Sequence, residues 1–565
     1  MYLPTLTEMT KSRDQQIEFK GYNHNLYVGE NQFYDTGNLC ATHYPVMCPR
    51  AARATVRTLT NAQALFARGK LCYVAGGQFY YDGTSYGSVT SGEKQLVGMG
   101  AYILIFPDAK RFHTGTKVMD SLGAGFTATG SVRMSLCRLD GSDYNNVTTA
   151  ATAPEEPANG AYWLDTSGDV HVLKVYSNGA WISVPTTYVR IASTGIGTSF
   201  KNGDAVTISG SSEESLNAEH SIIDHGDDYL VVIGVIDQVK TQTGGLKVER
   251  RIPAMDFVCE YNNRIWGCSS AKHEIYACKL GDPTNWYDYS GLASDSYAAT
   301  VGSDGDFTGC VAFGGAVLFF KEEMLHKVLG TKPANFQIND SPIRGVQAGC
   351  ARSLCVVNES LMYKSRDCVC VYDGGSPMDV SDALGHDDYF EAAAGARGDL
   401  YYISMRDTAG VWQMFVFDEA KGLWFREDNT HARQFAALNG QLYYLDDAGR
   451  VMAVRGSIES GAASEGAVRW YAETGDLLTN LPDNKYVSRV QLRIGVDNGS
   501  ELKLEAQYDS DGIWHKILEK KYTRKASFTA PIIPRRCDHL RLRISGVGRS
   551  CVYAISKEIE RGSEL

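Results

Sequence analysis

Acidic pairs and short Asp-Gly runs are the residues in this chain that first suggest chemistry. Glu213–Glu214, Asp227–Asp228 and Asp387–Asp388 sit in the polar stretches "SSEESL", "DHGDDY" and "GHDDYF". Two carboxylates can hydrolyse a glycosidic bond when the fold holds them about 5–9 Å apart, but adjacency in sequence fixes no such separation. "GSDGDF" (302–307) and "YDSDGIW" (508–514) superficially look like calcium loops. A calcium loop of the helix–loop–helix type needs alternating oxygen ligands closed by a bidentate Glu, and neither stretch continues that way. Both read as tight turns. The chain has no H-E-x-x-H, and its 12 His are dispersed. "GAGFTATG" (123–130) lacks the strand, GxGxxG, helix order that cradles phosphate. Most of the 14 Cys fall inside apolar runs, where a thiol serves as a small core residue. Cys368 and Cys370 share one face of a strand, with no second pair at a zinc-like spacing. No catalytic constellation, metal site or cofactor is expected.

The elements that would position any such residue are strands. Short apolar runs rich in Tyr and Phe alternate with Gly, Asp and Asn turns over most of the chain. "KLCYVAGGQFYYDGTSYGSV", "NRIWGCSSAKHEIYACKLGDPTNW", "SLMYKSRDCVCVYDGG", "DLYYISMRDTAGVWQMFVFDEAKGLWFRED" and "GQLYYLDDAGRVMAVRG" repeat one plan: strand, polar turn, strand, and often a Trp or Asp-Gly near the end. The copies lie roughly 40–50 residues apart, the size of a propeller blade, and five to seven blades fit the length. Trp266, Trp286, Trp412 and Trp424 are expected to fill the space between blades, as large rings at strand ends do. Only "NAQALFARGK" (61–70) and "FKEEMLHKVLG" (320–330) have the pattern of short helices.

Two segments break the blade rhythm. Residues 141–190 open with a Thr-, Ala- and Pro-rich linker and continue as a compact β-module around Trp163 and Trp181. Residues 200–236 carry the strong strands "GDAVTISG" and "DYLVVIGVI" and suggest a small barrel. Beyond about residue 467 the pattern becomes strict alternation, with Val490, Leu492 and Ile494 on one face and Arg489, Gln491 and Arg493 on the other. Period two with one polar face means half-buried antiparallel strands. The fold expected is therefore all-β: a propeller with inserted small β-domains and a C-terminal β-sandwich. Its divisions are an N-terminal segment with the first blades (1–140), inserted modules (141–250), the remaining blades (251–466) and the sandwich (467–565). Arg489, Arg493, Arg541 and Arg543 mark the outer face of that sandwich as a docking surface.

The net charge of −11 argues against a protein that wraps nucleic acid through phosphate contacts. It suits a surface that DNA passes without sticking, and the three acidic pairs are candidates to line such a surface. The start "MYLPTLTEMTKSRDQQIEFK" lacks the basic-then-apolar order of a secretory leader, and no apolar run approaches the ~20 residues that span a bilayer. Synthesis in a reducing cytoplasm without membrane insertion is expected.

Several stretches together resemble structural proteins of tailed bacteriophages: "FKGYNHNLYVGENQFYDTGNLCATHYPVMCPRAAR" (19–53), "MDFVCEYNNRIWGC", "LGDPTNW", "VGSDGDFTG", "FFKEE" and the C-terminal "PRRCDHLRLRISGVGRSCVYAISKEIERGSE". The layout is similar to the β-propeller tail nozzle, or tail stabilisation, proteins of short-tailed phages. The resemblance implies a non-enzymatic virion component in the tail or neck, assembled as a sixfold ring on a DNA ejection conduit. It implies contacts with adaptor, portal and fibre proteins. The alternative within the same group is a receptor-binding or baseplate tail protein that grips cell-surface carbohydrate with the Trp163–Trp181 module or the propeller. A carbohydrate-active enzyme on a propeller is the third reading.

Overall fold

A computed structural model describes residues 11–456, 462–479, 485–496, 500–522, 526–533 and 535–561. The chain is almost entirely β, with 53% of residues in strands. Seven antiparallel sheets recur among the described residues, six of four strands and a last one to which the short strand Ala463–Ser464 adds a fifth. In chain order they are blade 1 (62–88), blade 2 (95–121), blade 3 (257–300), blade 4 (309–342), blade 5 (355–379), blade 6 (389–428) and blade 7 (432–453). Blade 7 supplies three of its own strands, and the fourth is Ala54–Thr58 from the N-terminal side, antiparallel to Arg450–Ala453. These sheets are the blades of a β-propeller.

Blade 6 shows how the sequence produces this unit. Its strands Tyr389–Arg397, Leu400–Asp407, Trp412–Asp418 and Leu423–Asp428 are separated by turns in which Gly398, Gly410 and Gly422 take positive φ. The second strand reads "LYYISMRD", a nearly continuous apolar run, because both of its faces are covered. On one side Tyr402, Met414 and Val416 pack with Leu442, Tyr444 and Met452 of blade 7. On the other, the Tyr401 hydroxyl donates to the Ser353 carbonyl at 2.8 Å.

The chain forms two compact units. The first contains residues 1–93, Phe320–Leu325 and 341–565, and so holds blades 1, 5, 6 and 7 with the sandwich. Its sandwich has two sheets around one core, in which Val490, Leu492 and Ile494 face Leu502, Leu504, Leu542 and Ile544. The N-terminal strands belong here too. Lys11–Gln16 pairs with Ser550–Arg561 in one sheet, and Phe33–Gly37 pairs with Arg469–Thr474 in the other. Residues 11–40 were expected to accompany the first blades. They complete the C-terminal domain instead, and a Cys48–Cys551 disulfide joins the same two parts of the chain.

The second unit holds blades 2 and 3, most of blade 4 and the insertion. The insertion begins earlier than residue 141: Gly125–Thr127 and Ser131–Cys137 are already strands of its eight-stranded sheet. Strands near opposite ends of that sheet, carrying Val132 and Val248, share one core, so the sheet curls on itself as a small barrel does. The tryptophan module is a four-stranded sheet, Val147–Ala150, Tyr162–Asp165, Val172–Ser177 and Ala180–Ser183, whose first pair is parallel. The "GDPTNW" loop of blade 3 seats the barrel. Asp282 caps its own turn by accepting from the Thr284 amide and hydroxyl, and Asn285 Nδ2 donates to the Gly203 carbonyl at 2.6 Å.

Neither stretch expected as a helix is one. "NAQALFARGK" contains the strand Ala62–Arg68, and "FKEEMLHKVLG" contains Met324–Leu329. Helices this short are marginal alone, and both segments bury apolar residues more fully as strands between neighbours. Leu65 and Leu325 are each 2% exposed.

Gly395 marks how closely the innermost strands of blades 6 and 7 approach. A Cβ there would lie 2.6 Å from Phe435 Cβ and 2.9 Å from Leu442 Cδ1. Gly395→Ala is expected to lower unfolding free energy by about 1–3 kcal/mol through overpacking, read as a lower denaturant midpoint at unchanged slope.

Candidate functional site

The residues singled out above fall in several places. Trp266, Trp286 and Trp424 are buried at 2%, 1% and 2% exposure. Trp266 lies between blades 3 and 4 with Val317, Phe319 and Val328, and Trp286 lies between blades 2 and 3 with Leu104, Phe106, Ile265 and Tyr276. Trp424 donates from Nε1 to the Val380 carbonyl at 2.6 Å. Trp412 is half-buried and stacks on His431 with centroids 3.4 Å apart. In the inserted module Trp163 is 6% exposed, and its Nε1 donates to the Ala150 carbonyl at 2.8 Å. Trp181 meets its ring edge-on at 5.4 Å. Trp163 is thus the buried member of the pair, and Trp181 covers it while itself half-buried.

The acidic pairs occupy three loops. Glu213 is committed to Lys240 at 2.7 Å. Burial lifts its carboxyl, but Lys240 and the Ser215 hydroxyl outweigh this and hold it below the usual range. Glu214 is exposed in the same loop. Asp227 and Asp228 form the turn after Glu219–Gly226, an eight-residue strand about 26 Å long, so they lie well away from Glu213 and Glu214. Asp228 accepts from the Gly195 amide at 2.7 Å. Asp387 and Asp388 are exposed in the loop before Tyr389–Arg397.

The four arginines do not form one face. Arg489 and Arg493 point out from one sheet of the sandwich, Arg541 and Arg543 from the other, and the two outer surfaces of a sandwich face opposite ways. Arg489 and Arg493 are exposed, whereas Arg543 pairs with Glu473 at 2.7 Å and lies over Trp514. Arg541 pairs with Asp476. Alternation alone shows that a side chain points outward; it does not show which sheet carries it.

The densest set of charged side chains was not visible in the sequence. Where the N-terminal segment, blade 6 and the segment that leads from blade 7 into the sandwich meet, Arg50 and Arg53 are buried against Glu427, Asp428 and Glu465. Arg53 Nη2 donates to Glu427 Oε2 at 2.6 Å, and Nη1 donates to Asp428 Oδ2 and Thr430 Oγ1, each at 2.8 Å. Its backbone amide donates to Glu465 Oε1 at 2.8 Å. Burial works against the Arg53 charge, but Glu427 and then Asp428 outweigh it and hold the guanidinium protonated. Burial likewise lifts the Asp428 carboxyl, and Arg53, the Thr430 hydroxyl and Arg50 outweigh it, so this acid sits below its ordinary value. Three carboxylates around two guanidiniums form a joint that fixes the approach of three chain segments.

One further cluster has the order of a nucleophile, a base and an orienting acid. In blade 4, His326 Nε2 lies 2.8 Å from Ser303 Oγ, and its Nδ1 lies 2.6 Å from Asp340 Oδ1. A carboxylate only accepts, so Nδ1 carries the proton and Nε2 accepts from the serine hydroxyl. The burial pattern suits structure better than turnover. The imidazole is 0% exposed and sealed edge-on against Phe307, while the acid is 54% exposed. A base that serves a substrate needs the reverse arrangement. The three residues satisfy both nitrogens of a buried ring and pin the 303 loop and strand Gln337–Pro342 to strand Met324–Leu329. No motif signals it, because the partners are 23 and 14 positions from His326. Among the described residues no group of three or more His, Cys, Asp or Glu could hold a metal ion.

No protein-family model matches this sequence, and no curated protein does. Among solved structures the chain is similar to BamB from Moraxella catarrhalis, at 12% identity over 64% of this chain and 92% of that one, with a TM-score of 0.26. It is similar to Kluyveromyces lactis Hsv2, at 14% identity over 49% of this chain and 88% of that one, TM-score 0.26. It is similar to the WD40 domain of Toxoplasma gondii coronin, at 8% identity over 75% and 86%, TM-score 0.25. All three are propeller proteins, and the likeness concerns the fold alone.

Three substitutions test these clusters. Arg53→Met leaves Glu427 and Asp428 buried without their main partner and is expected to cost about 3–5 kcal/mol in equilibrium unfolding. Because the folded Asp428 carboxyl is depressed, its contribution is complete above the unfolded value, about 3.9, and is lost as pH falls through the folded value. Asp428→Asn should therefore flatten the acid limb of stability against pH below about 4. Ser303→Ala leaves a buried imidazole nitrogen unpaired and is expected to cost about 1–3 kcal/mol, with no fluorophosphonate labelling of Ser303 in the parent chain.

Proposed function

We propose that this chain is a non-enzymatic structural component of a bacteriophage tail or neck, a nozzle-type part of the DNA ejection conduit. The observation that carries the reading is the interlock of the first unit. One N-terminal segment closes blade 7, adds a strand to each sheet of the sandwich and is buried by the Arg50–Arg53 joint. A part that transmits load between neighbours needs its own domains fixed to each other, and these contacts do that without any ligand. The partners in this reading are further copies of the chain in a sixfold ring, together with adaptor, portal and fibre proteins. Arg489 and Arg493, exposed on one outer face of the sandwich, are available for such contacts. DNA passes without specific binding, helped by repulsion from acids such as Glu214, Asp227, Asp387 and Asp388, which stay exposed.

The test is immunogold electron microscopy of purified particles with antibody to this chain. Gold at the neck or on a short tail just below the head is the expected result. Gold at the distal tip would transfer the reading to receptor recognition. Unlabelled particles, with the protein free in the lysate, would overturn a virion role.

A further inference from the structure

The acidic balance of the chain is locally reversed in a cleft of 490 Å³ in the first unit, lined by parts of residues 40–52, by Arg455, by Gly466–Val468 and by Gly548–Arg549. Among the described residues its charged or ionisable lining is Arg50, Arg455, Arg549 and His43, with no carboxylate. Arg50 is already neutralised by Glu427 and Glu465. Arg455 is not. Its Nη2 donates to Thr42 Oγ1 at 2.9 Å, a neutral partner that leaves the charge uncompensated. Arg549 is exposed at the opposite wall. Among the described residues, neither of these two, nor Arg397, forms an ion pair with a carboxylate.

Arg397 adds an independent observation. Its Nε is buried with no hydrogen-bond partner. Burial, and after it the nearby charge of Arg455, pulls its guanidinium below the ordinary value. Two like charges held close, one of them with an unsatisfied donor, are unfavourable unless an anion joins them.

The walls are firmly built. Cys48, which precedes the Pro49–Ala52 wall, is bonded to Cys551, which follows the Gly548–Arg549 wall. Met47 and Val552 exchange backbone hydrogen bonds beside the disulfide, at 3.2 and 2.9 Å. The arginines therefore project from a fixed frame.

The lining also limits the ligand. No Phe, Tyr or Trp faces the cleft. What it offers is planar, permanently charged donors, whose fork geometry matches tetrahedral oxyanions. We propose that this cleft binds a phosphate group, as a free ion or a phosphate ester, recognised through its charge and oxygens.

The experiment is isothermal titration of the full chain with inorganic phosphate and with pyrophosphate at low ionic strength, repeated at higher salt. Binding is expected for both, tighter for pyrophosphate and weakened by salt. Arg549→Ala and Arg455→Ala should each weaken it at least tenfold. Arg455→Lys should fall between wild type and Arg455→Ala, since it keeps the charge and loses the fork. Arg366→Ala, at a side chain 68% exposed beside Glu323, should leave binding unchanged. Arg549 is exposed, so its variant is not expected to disturb folding, and thermal unfolding of each variant checks this. No binding by the parent chain, equal binding by Arg549→Ala and Arg455→Ala, or an equal loss in Arg366→Ala would each overturn the proposal.

Discussion

The first unit depends on a buried charge balance. Arg53 is 4% exposed and Glu427 3%, and neither would be tolerated at that depth alone. Their pairing joins positions 374 residues apart and sets where the N-terminal segment turns toward blade 7. From that fixed point, strand Ala54–Thr58 enters the last blade, and the residues before it reach back into the sandwich. Strand Arg469–Thr474 of one sandwich sheet and strand Arg450–Ala453 of blade 7 are thus organised by the same short stretch of chain. A joint of ions rather than apolar residues is a demanding choice, because each member must be matched. Its benefit is directional: a bidentate guanidinium fixes angle as well as distance.

How much of this was legible in the sequence depended on whether the signal was local. Blades are local objects. Each carries its own strands, turns and apolar runs, and "LYYISMRD" between Gly398 and Gly410 could be read as a buried strand from eight residues. The sandwich strands were equally plain, since Val490, Leu492 and Ile494 alternate with Arg489, Gln491 and Arg493. Strand Lys11–Gln16 was not, because "KSRDQQ" has no apolar residue to mark an inward face. It is held by pairing with its partner strand and by ions such as Asp14 with Lys557.

The functional clusters were illegible for a related reason. His326 meets Ser303 and Asp340 only after blade 4 has folded, and a spacing of 23 and 14 residues matches no motif. The arginine stripe read correctly as outward-pointing, yet its members divided between two sheets, because period-two patterning reports a face within a strand and says nothing about which strands share a sheet. The tryptophans were legible as large buried rings. That Trp286 belongs to a loop that also seats the inserted barrel came only from the partner of its neighbour Asn285.

The closing strand also has a consequence for synthesis. Ala54–Thr58 leaves the ribosome early, and its partner Arg450–Ala453 emerges almost four hundred residues later. At about 5–20 residues per second, that interval is roughly 20–80 s. Throughout it the N-terminal strands are without their edges, the condition in which nascent chains adhere to one another. The polar character of "KSRDQQ", and the charge carried by Arg50, Arg53 and Arg57, keep the waiting segment soluble. The same residues that hid this segment from a reading of hydrophobic pattern allow it to be made long before it is used.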